Sequence, residues 1–161
     1  MRRLRSFGRS GRWMSNELSF EEYLDRYGTL TYTNVGVSML PLLRQGKDLF
    51  TVEKKDENRC KRGDVVLYRR PPDKYVLHRV IEVRPDDYVI LGDNCVMKEY
   101  GIRDADILGV MTGYVRNGKA HKVTETGYRL YTAYCLRLAP VRVFFKKAKA
   151  RLIRGIKKII K

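Results

Sequence analysis

Apolar and polar positions change period twice along this chain. Between Thr29 and about Val123 the apolar residues fall into short runs rich in Val, Ile, Tyr and Thr: TLTYTNV, LFTVEK, DVVLYRR, YVLHRVIEV, YVILGD, ILGVMTGYV and KVT. Turn residues separate them at Arg62-Gly63-Asp64, Pro71-Pro72-Asp73, Pro85-Asp86-Asp87 and Asn117-Gly118. Such runs bounded by turn formers predict β-strands. Asn117-Gly118 suits a two-residue hairpin. No helical stretch intervenes, so the strands predict a mainly β fold, a coiled antiparallel sheet or small barrel.

Helical spacing flanks this region. Ser15 or Asn16 can cap a helix that runs to about Tyr27, with Leu18, Tyr23 and Leu24 on its apolar face and Gly28 as its stop. Beyond Gly127, Leu130, Tyr134 and Leu138 recur at helical spacing over 128–138. Pro140 is expected to break that helix. A second helix is expected over 141–160, with Phe145, Ala148, Leu152, Ile156 and Ile159 on one face. Residues 1–14, rich in Arg, Gly and Ser, read as a disordered basic tail. The chain therefore divides into a tail (1–14), a β core with its leading helix (15–126) and a basic amphipathic helical tail (127–161).

Charge sharpens this division. The net charge is +16, but residues 1–12 hold five arginines and no acid, and 126–161 hold eleven Lys/Arg and no acid. The segment 13–125 carries 18 basic residues against all 18 acidic ones. A neutral body with basic ends argues against a core built for specific nucleic-acid readout. The ends are instead expected to seek anionic surfaces, including a membrane met by the C-terminal helix. Salt-dependent nucleic-acid binding by these ends is an alternative. Three cysteines without a CxxC pair indicate neither a disulfide framework nor a zinc site. No apolar run approaches the roughly 18 residues of a membrane span, and no apolar stretch follows the basic N-terminus as in a secretory signal. The expected location is cytoplasmic, with peripheral membrane attachment as the variant.

Three segments carry candidate chemistry. Gly36-Val37-Ser38-Met39-Leu40-Pro41 sets a serine between a glycine and a proline, as an exposed, constrained loop would. A serine hydroxyl attacks only when a base takes its proton and donors hold the oxyanion. His78 interrupts an apolar row on the strand Tyr75–Val83, between Val76 and Val80. The only other histidine, His121, sits in a polar stretch, which makes His78 the candidate base. Leu91-Gly92-Asp93-Asn94 offers a carboxylate able to orient an imidazole, with Glu99 close behind. The plain alternatives are a turn serine, a structural histidine and an Asx turn.

In their order along the chain these segments resemble the signal peptidase I superfamily of serine peptidases, which includes the LexA-type repressors. GVSMLP is similar to the nucleophile box, Arg62-Gly63-Asp64-Val65-Val66 to the Gly-Asp strand start, and His78-Arg79-Val80 to the box that supplies the base. Leu91-Gly92-Asp93-Asn94 is similar to the Gly-Asp-Asn box, and Ile107-Leu108-Gly109-Val110 to the closing strand. The resemblance covers roughly 36–118. A histidine rather than a lysine in the base box resembles the endoplasmic-reticulum and archaeal branch. The resemblance implies a serine endopeptidase that cuts a precursor or leader peptide, with Ser38 as nucleophile and His78 as base. Met39 and Pro41 would flank the substrate, and no cofactor or metal would be required. That branch uses an aspartate six residues beyond the Asp of Gly-Asp-Asn, and here the position holds Glu99. Local architecture favours Asp93 as the acid and position favours Glu99, with Asp104 and Asp106 as outlying candidates. A histidine base implies activity lost as pH falls through about 6.5. A non-catalytic peptide-binding module on the same fold is the rival function.

Overall fold

The computed structural model describes residues 18–159; the side chains of 142, 145–147 and 149–159 lie outside that description. The expectations for residues 1–14, for Ser15 and Asn16, and for the apolar face from Phe145 to Ile159 fall outside the described residues, except that Ala148 is exposed. The protein is mainly β. Eight antiparallel strands form one sheet between two helices: α1 (Phe20–Tyr27), β1 (Thr29–Thr33), β2 (Leu49–Lys54), β3 (Val65–Arg70), β4 (Lys74–Val83), β5 (Tyr88–Leu91), β6 (Glu99–Ile102), β7 (Ile107–Arg116), β8 (Lys119–Lys122) and α2 (Thr126–Ile159). The strand order is β1-β2-β7-β3-β4-β5-β6, with β8 paired to β7. The sheet stays open, with β1 and β6 at its edges, so the barrel option does not hold.

The central strands explain the coiling. Val65–Tyr68 of β3 are buried on both faces, which places a core on each side of the sheet. Phe20, Leu24, Leu30, Met39, Phe50 and Leu67 build one core beneath α1. Val66, Tyr68, Val80, Tyr88 and Ile90 build the other. Bulges between Thr51 and Val52, Leu67 and Tyr68, and Val80 and Glu82 bend the strands between these cores.

Helix α1 begins later than the spacing alone predicts. Ser19 caps it, accepting from Glu22 N–H at 3.1 Å while the Glu22 carboxylate accepts from Ser19 N–H at 2.8 Å. Phe20 and Leu24 face the core, whereas Leu18 is exposed. The Asn117-Gly118 turn forms as expected, with both residues at positive φ. Strand β6 was not anticipated, because Glu99–Ile102 buries only Ile102 fully and contains a glycine.

The C-terminal region departs most from expectation. One helix runs through Pro140, which is exposed, so the lost backbone bond faces solvent rather than core. The predicted apolar face is turned outward: Leu130, Tyr134 and Leu138 are 67%, 58% and 39% exposed. The buried face carries Tyr128, Cys135 and Ala139, with Tyr131 and Thr132 half-buried beside them. The reason is polar. The hydroxyls of Tyr128, Tyr131 and Thr132 meet a buried ion pair described below, and that satisfied contact sets the helix's rotation.

Candidate active site

The loop between β1 and β2 carries Ser38, and its ends are tied together. Asn34 N–H donates to Asp48 O (3.1 Å), and Gly46 N–H donates to Asn34 O (3.0 Å). Buried Asp48 accepts from Arg44 N–H, Nε and Nη2 at 2.8, 3.0 and 2.7 Å. Gly36 turns the chain at φ +94°, a conformation costly for side-chain-bearing residues, just before the serine. Met39 is wholly buried and anchors the turn from below. Pro41 lies outside, and its carbonyl accepts from Arg116 Nη1 at 2.6 Å. Neither of these two residues borders the cleft described below.

The loop after β5 clamps the serine turn. Asn94 N–H donates to Ser38 O at 2.7 Å, and Asn94 Nδ2 donates to Val37 O at 3.0 Å. Gly92 fits where nothing larger would: a Cβ there would sit 2.7 Å from Cys95 Sγ, 2.9 Å from His78 Nε2 and 2.9 Å from Ser38 O. The ring of His78 and the turn that carries Ser38 therefore flank the same backbone atom. Among the described residues Ser38 Oγ makes no hydrogen bond to His78, and the Ser38 N–H has no acceptor.

Strand β4 presents His78, which pairs in register with Val66 of β3 and is buried. Its Nδ1 lies 3.0 Å from Glu99 Oε1 and 3.3 Å from the Tyr68 hydroxyl. Tyr68 donates to Glu99 Oε2 (2.7 Å), and Arg70 adds a fork to the same carboxylate, with Nε 2.8 Å from Oε2. Burial opposes the charge of Glu99, but Arg70, Tyr68 and His78 hold its pKa below the ordinary carboxylate range. Burial and Glu99 together push the Tyr68 hydroxyl up, so it keeps its proton. An ionised Glu99 only accepts, and the Tyr68 proton is committed to it. Nδ1 must then be the donor, which leaves Nε2 bare and facing Cys95 Sγ at 4.0 Å and the Ser38 turn. Burial lowers the His78 pKa below 6.5, against an opposing pull from Glu99. The ring is neutral at neutral pH.

Asp93 sits elsewhere. It accepts Arg79 Nε and Nη2 at 2.8 Å each, in a pair only 1% and 2% exposed. Tyr131 donates to Asp93 Oδ2 at 2.9 Å, while Arg79 Nη1 donates to Gly63 O (2.8 Å), Thr132 Oγ1 (3.0 Å) and Tyr128 OH (3.3 Å). This node ties β4, the 92–95 loop, the turn before β3 and α2 together. Gly63 touches α2 so closely that a Cβ would lie 3.0 Å from Thr132 Cγ2. Of the two acids, Glu99 meets His78 and Asp93 does not. The outlying candidates serve other contacts: Asp104 accepts from Tyr88 at 2.6 Å, and Asp106 accepts from Arg103 N–H at 2.9 Å. His121 stacks on Tyr114 and pairs with Glu125 at 3.0 Å, away from this site.

Sequence reasoning missed Tyr68, Arg70 and Arg79. Arg79 carried a readable signal, since an arginine inside a strand that also holds Leu77 and Val80 needs a buried acid. Tyr68 and Arg70 carried none, because their part depends on Glu99, from the far edge strand β6, reaching their side chains on β3. A cleft of about 580 Å³ opens beside Ser38, between the end of β1 and the first half of β4. The described residues contain no cluster of His, Cys, Asp and Glu able to hold a metal ion, and no disulfide joins any of the three cysteines among them. The chain matches no family model, no curated protein and no solved structure.

Proposed function

We propose that this chain is a serine endopeptidase of the signal peptidase I-like kind, acting on a precursor or leader peptide, with Ser38 as nucleophile, His78 as general base and Glu99 as the acid that orients the base. One observation carries the reading. His78 Nδ1 lies 3.0 Å from Glu99 Oε1, while Nε2 and the Ser38 carbonyl crowd the same glycine, Gly92, and leave no room there for a side chain.

The reaction follows from those groups. Nε2 takes the Ser38 proton as Oγ attacks the substrate carbonyl, and the Nδ1–H bond to Glu99 steadies the imidazolium that forms. The Ser38 N–H donates to the oxyanion. Collapse breaks the C–N bond, and Nε2–H protonates the departing amine. Water then loses a proton to Nε2 as it attacks the acyl-serine, which releases the new carboxyl terminus and restores Ser38. No cofactor takes part. Among the described residues strand β4 pairs with β5 only from Arg79 onward, so Lys74–His78 offers there an edge to which an extended peptide can add. Incubation with a peptide mixture tests the reading: Ser38→Ala and His78→Ala should each abolish cleavage, and full activity in either variant rejects it. A folded chain that binds peptide by this edge but cuts none would instead be the binding module.

The outward stripe of α2 supports a site of action at an anionic membrane surface. Leu130, Tyr134, Leu138, Val141 and Phe144 are all exposed, on a segment with eleven basic residues and no acid. Among the described residues no helix is long and apolar enough to cross a membrane. Each cation near such a surface contributes about 1 kcal/mol. Sedimentation with anionic liposomes should carry the full chain down and leave a chain lacking 139–161 largely in solution; equal partitioning of the two rejects the attachment.

A further inference from the structure

Cys95 stands half-buried on the loop after β5. Its N–H donates to Gly92 O at 2.9 Å, and the neighbouring Asn94 N–H donates to Ser38 O at 2.7 Å, so the backbone that carries the thiol is held in place. Sγ meets His78 Nε2 at 4.0 Å, the outer limit of a weak thiol–imidazole hydrogen bond. That ring is 4% exposed, and its other nitrogen lies 3.0 Å from Glu99 Oε1. Cys95, His78 and Glu99 are therefore a thiol, a base within reach of it and an acid that orients the base. The reaction at Ser38 gives Cys95 no task.

The other two cysteines have a different setting. Cys60 and Cys135 are 5% and 3% exposed. Burial pushes the Cys60 thiol up to about 11, which keeps it protonated and inert. The thiolate is the form that attacks a disulfide, and an ordinary cysteine holds only a small part of it at neutral pH. At Cys95 the base supplies what is missing. Nε2 takes the Sγ proton as Sγ attacks one sulfur of a small disulfide. A new S–S bond forms, the old one breaks, and the departing thiolate takes the proton back from Nε2. Cys95 is oxidised to a mixed disulfide, and half of the reagent is reduced to a thiol. Excess small thiol runs the exchange backward. The added group has little space to avoid the catalytic pair. Cys95 Sγ, His78 Nε2 and Ser38 O all lie within 2.9 Å of one point, the place where a Cβ on Gly92 would stand. A second sulfur about 2 Å from Sγ intrudes between the base and the serine turn.

We propose that Cys95 is a reversible modification site for small disulfides, served by the His78–Glu99 pair, and that the group it takes up stops chemistry at Ser38. The reaction at Cys95 stands on its own geometry; the block rests on Ser38 being the nucleophile. The test treats the full chain with hydroxyethyl disulfide, follows each cysteine by peptide mass, and then adds a fluorophosphonate probe. Cys95 should react at least about tenfold faster than Cys60 or Cys135. His78→Gln, which keeps bulk and removes the base, should slow Cys95 by about tenfold and leave the other two cysteines unchanged. Glu99→Gln, which keeps the ring, should slow it by less. Labelling of Ser38 should fall in proportion to modified Cys95 and return when a small thiol is added. In Cys95→Ser the disulfide should have no effect on labelling. Equal rates at the three cysteines, or an undiminished rate at Cys95 in both His78→Gln and Glu99→Gln, overturns the site. Undiminished Ser38 labelling on chains modified at Cys95 overturns the block and leaves the peptidase reading standing. A folded chain that takes the disulfide selectively at Cys95 but no fluorophosphonate removes the Ser38 reading and the block, while the site stands.

Discussion

Asp93→Asn separates the two acids that the candidate boxes bring close together. The substitution keeps the shape of the side chain and removes its charge, which leaves Arg79 buried at 1% exposure beside neutral partners only: Gly63 O, Thr132 Oγ1 and Tyr128 OH. Two 2.8 Å bonds to Asp93 are at stake, and the asparagine amide would turn a donor toward the guanidinium donors. Breaking a buried pair by removing one partner costs about 3–5 kcal/mol. For a chain of this size each kcal/mol moves Tm by about 2–4 °C, so a loss of about 6–20 °C is expected. Glu99→Gln is the matched control. Its partner Arg70 is 39% exposed, and water takes up part of what is lost, so the fall should stay near the about 1 kcal/mol of exposed pairs. Urea unfolding and thermal melts followed by circular dichroism measure both variants. Replacing both Arg79 and Asp93 by apolar residues should recover only part of the loss, because Gly63 O would lack its donor. Unchanged stability in Asp93→Asn, or a larger loss in Glu99→Gln, would refute the division into a structural acid and a histidine-orienting acid.

Three further outcomes follow from the same geometry. Activity needs neutral His78, and burial holds its pKa below 6.5, so the acidic limb of the pH–rate profile should fall below that value and activity should be lost as pH drops through it. Glu99 pulls this pKa upward, so Glu99→Gln should move the limb to still lower pH and reduce the rate about 10²–10⁴-fold; a limb moving upward contradicts the pairing. Gly92→Ala should slow cleavage by about 10²-fold or more, since its Cβ would press within 2.9 Å of both His78 Nε2 and Ser38 O, and wild-type rates in that variant would mean the two do not act together.

Much of the fold could be read from the alternation of apolar residues, because β2, β3, β4, β5 and β7 are long or strongly β-branched and are bounded by turn formers. The Gly92–Asn94 segment lies against the Ser38 turn, a contact that no local pattern announces. What stayed hidden depended on tertiary pairing. Glu99 sits on a four-residue strand with weak periodicity, and its contact with His78 exists only because β6 pairs with β5 across a register shift. Asp93 looked like the better acid from local sequence, and only the position of Arg79 on the neighbouring strand explains why its carboxylate is taken. The rotation of α2 was misread for a related reason. Leu130, Tyr134 and Leu138 carry the stronger hydrophobic signal, but the tyrosine and threonine hydroxyls that satisfy Arg79 and Asp93 decide which face packs.

Intact-mass and peptide-level detection of a fluorophosphonate adduct test the central claim most directly. The account predicts one adduct on Ser38 of the folded wild-type chain, none in Ser38→Ala, and labelling slowed by about 10²-fold or more in His78→Ala. An adduct that persists in Ser38→Ala, or wild-type labelling rates in His78→Ala, would contradict it.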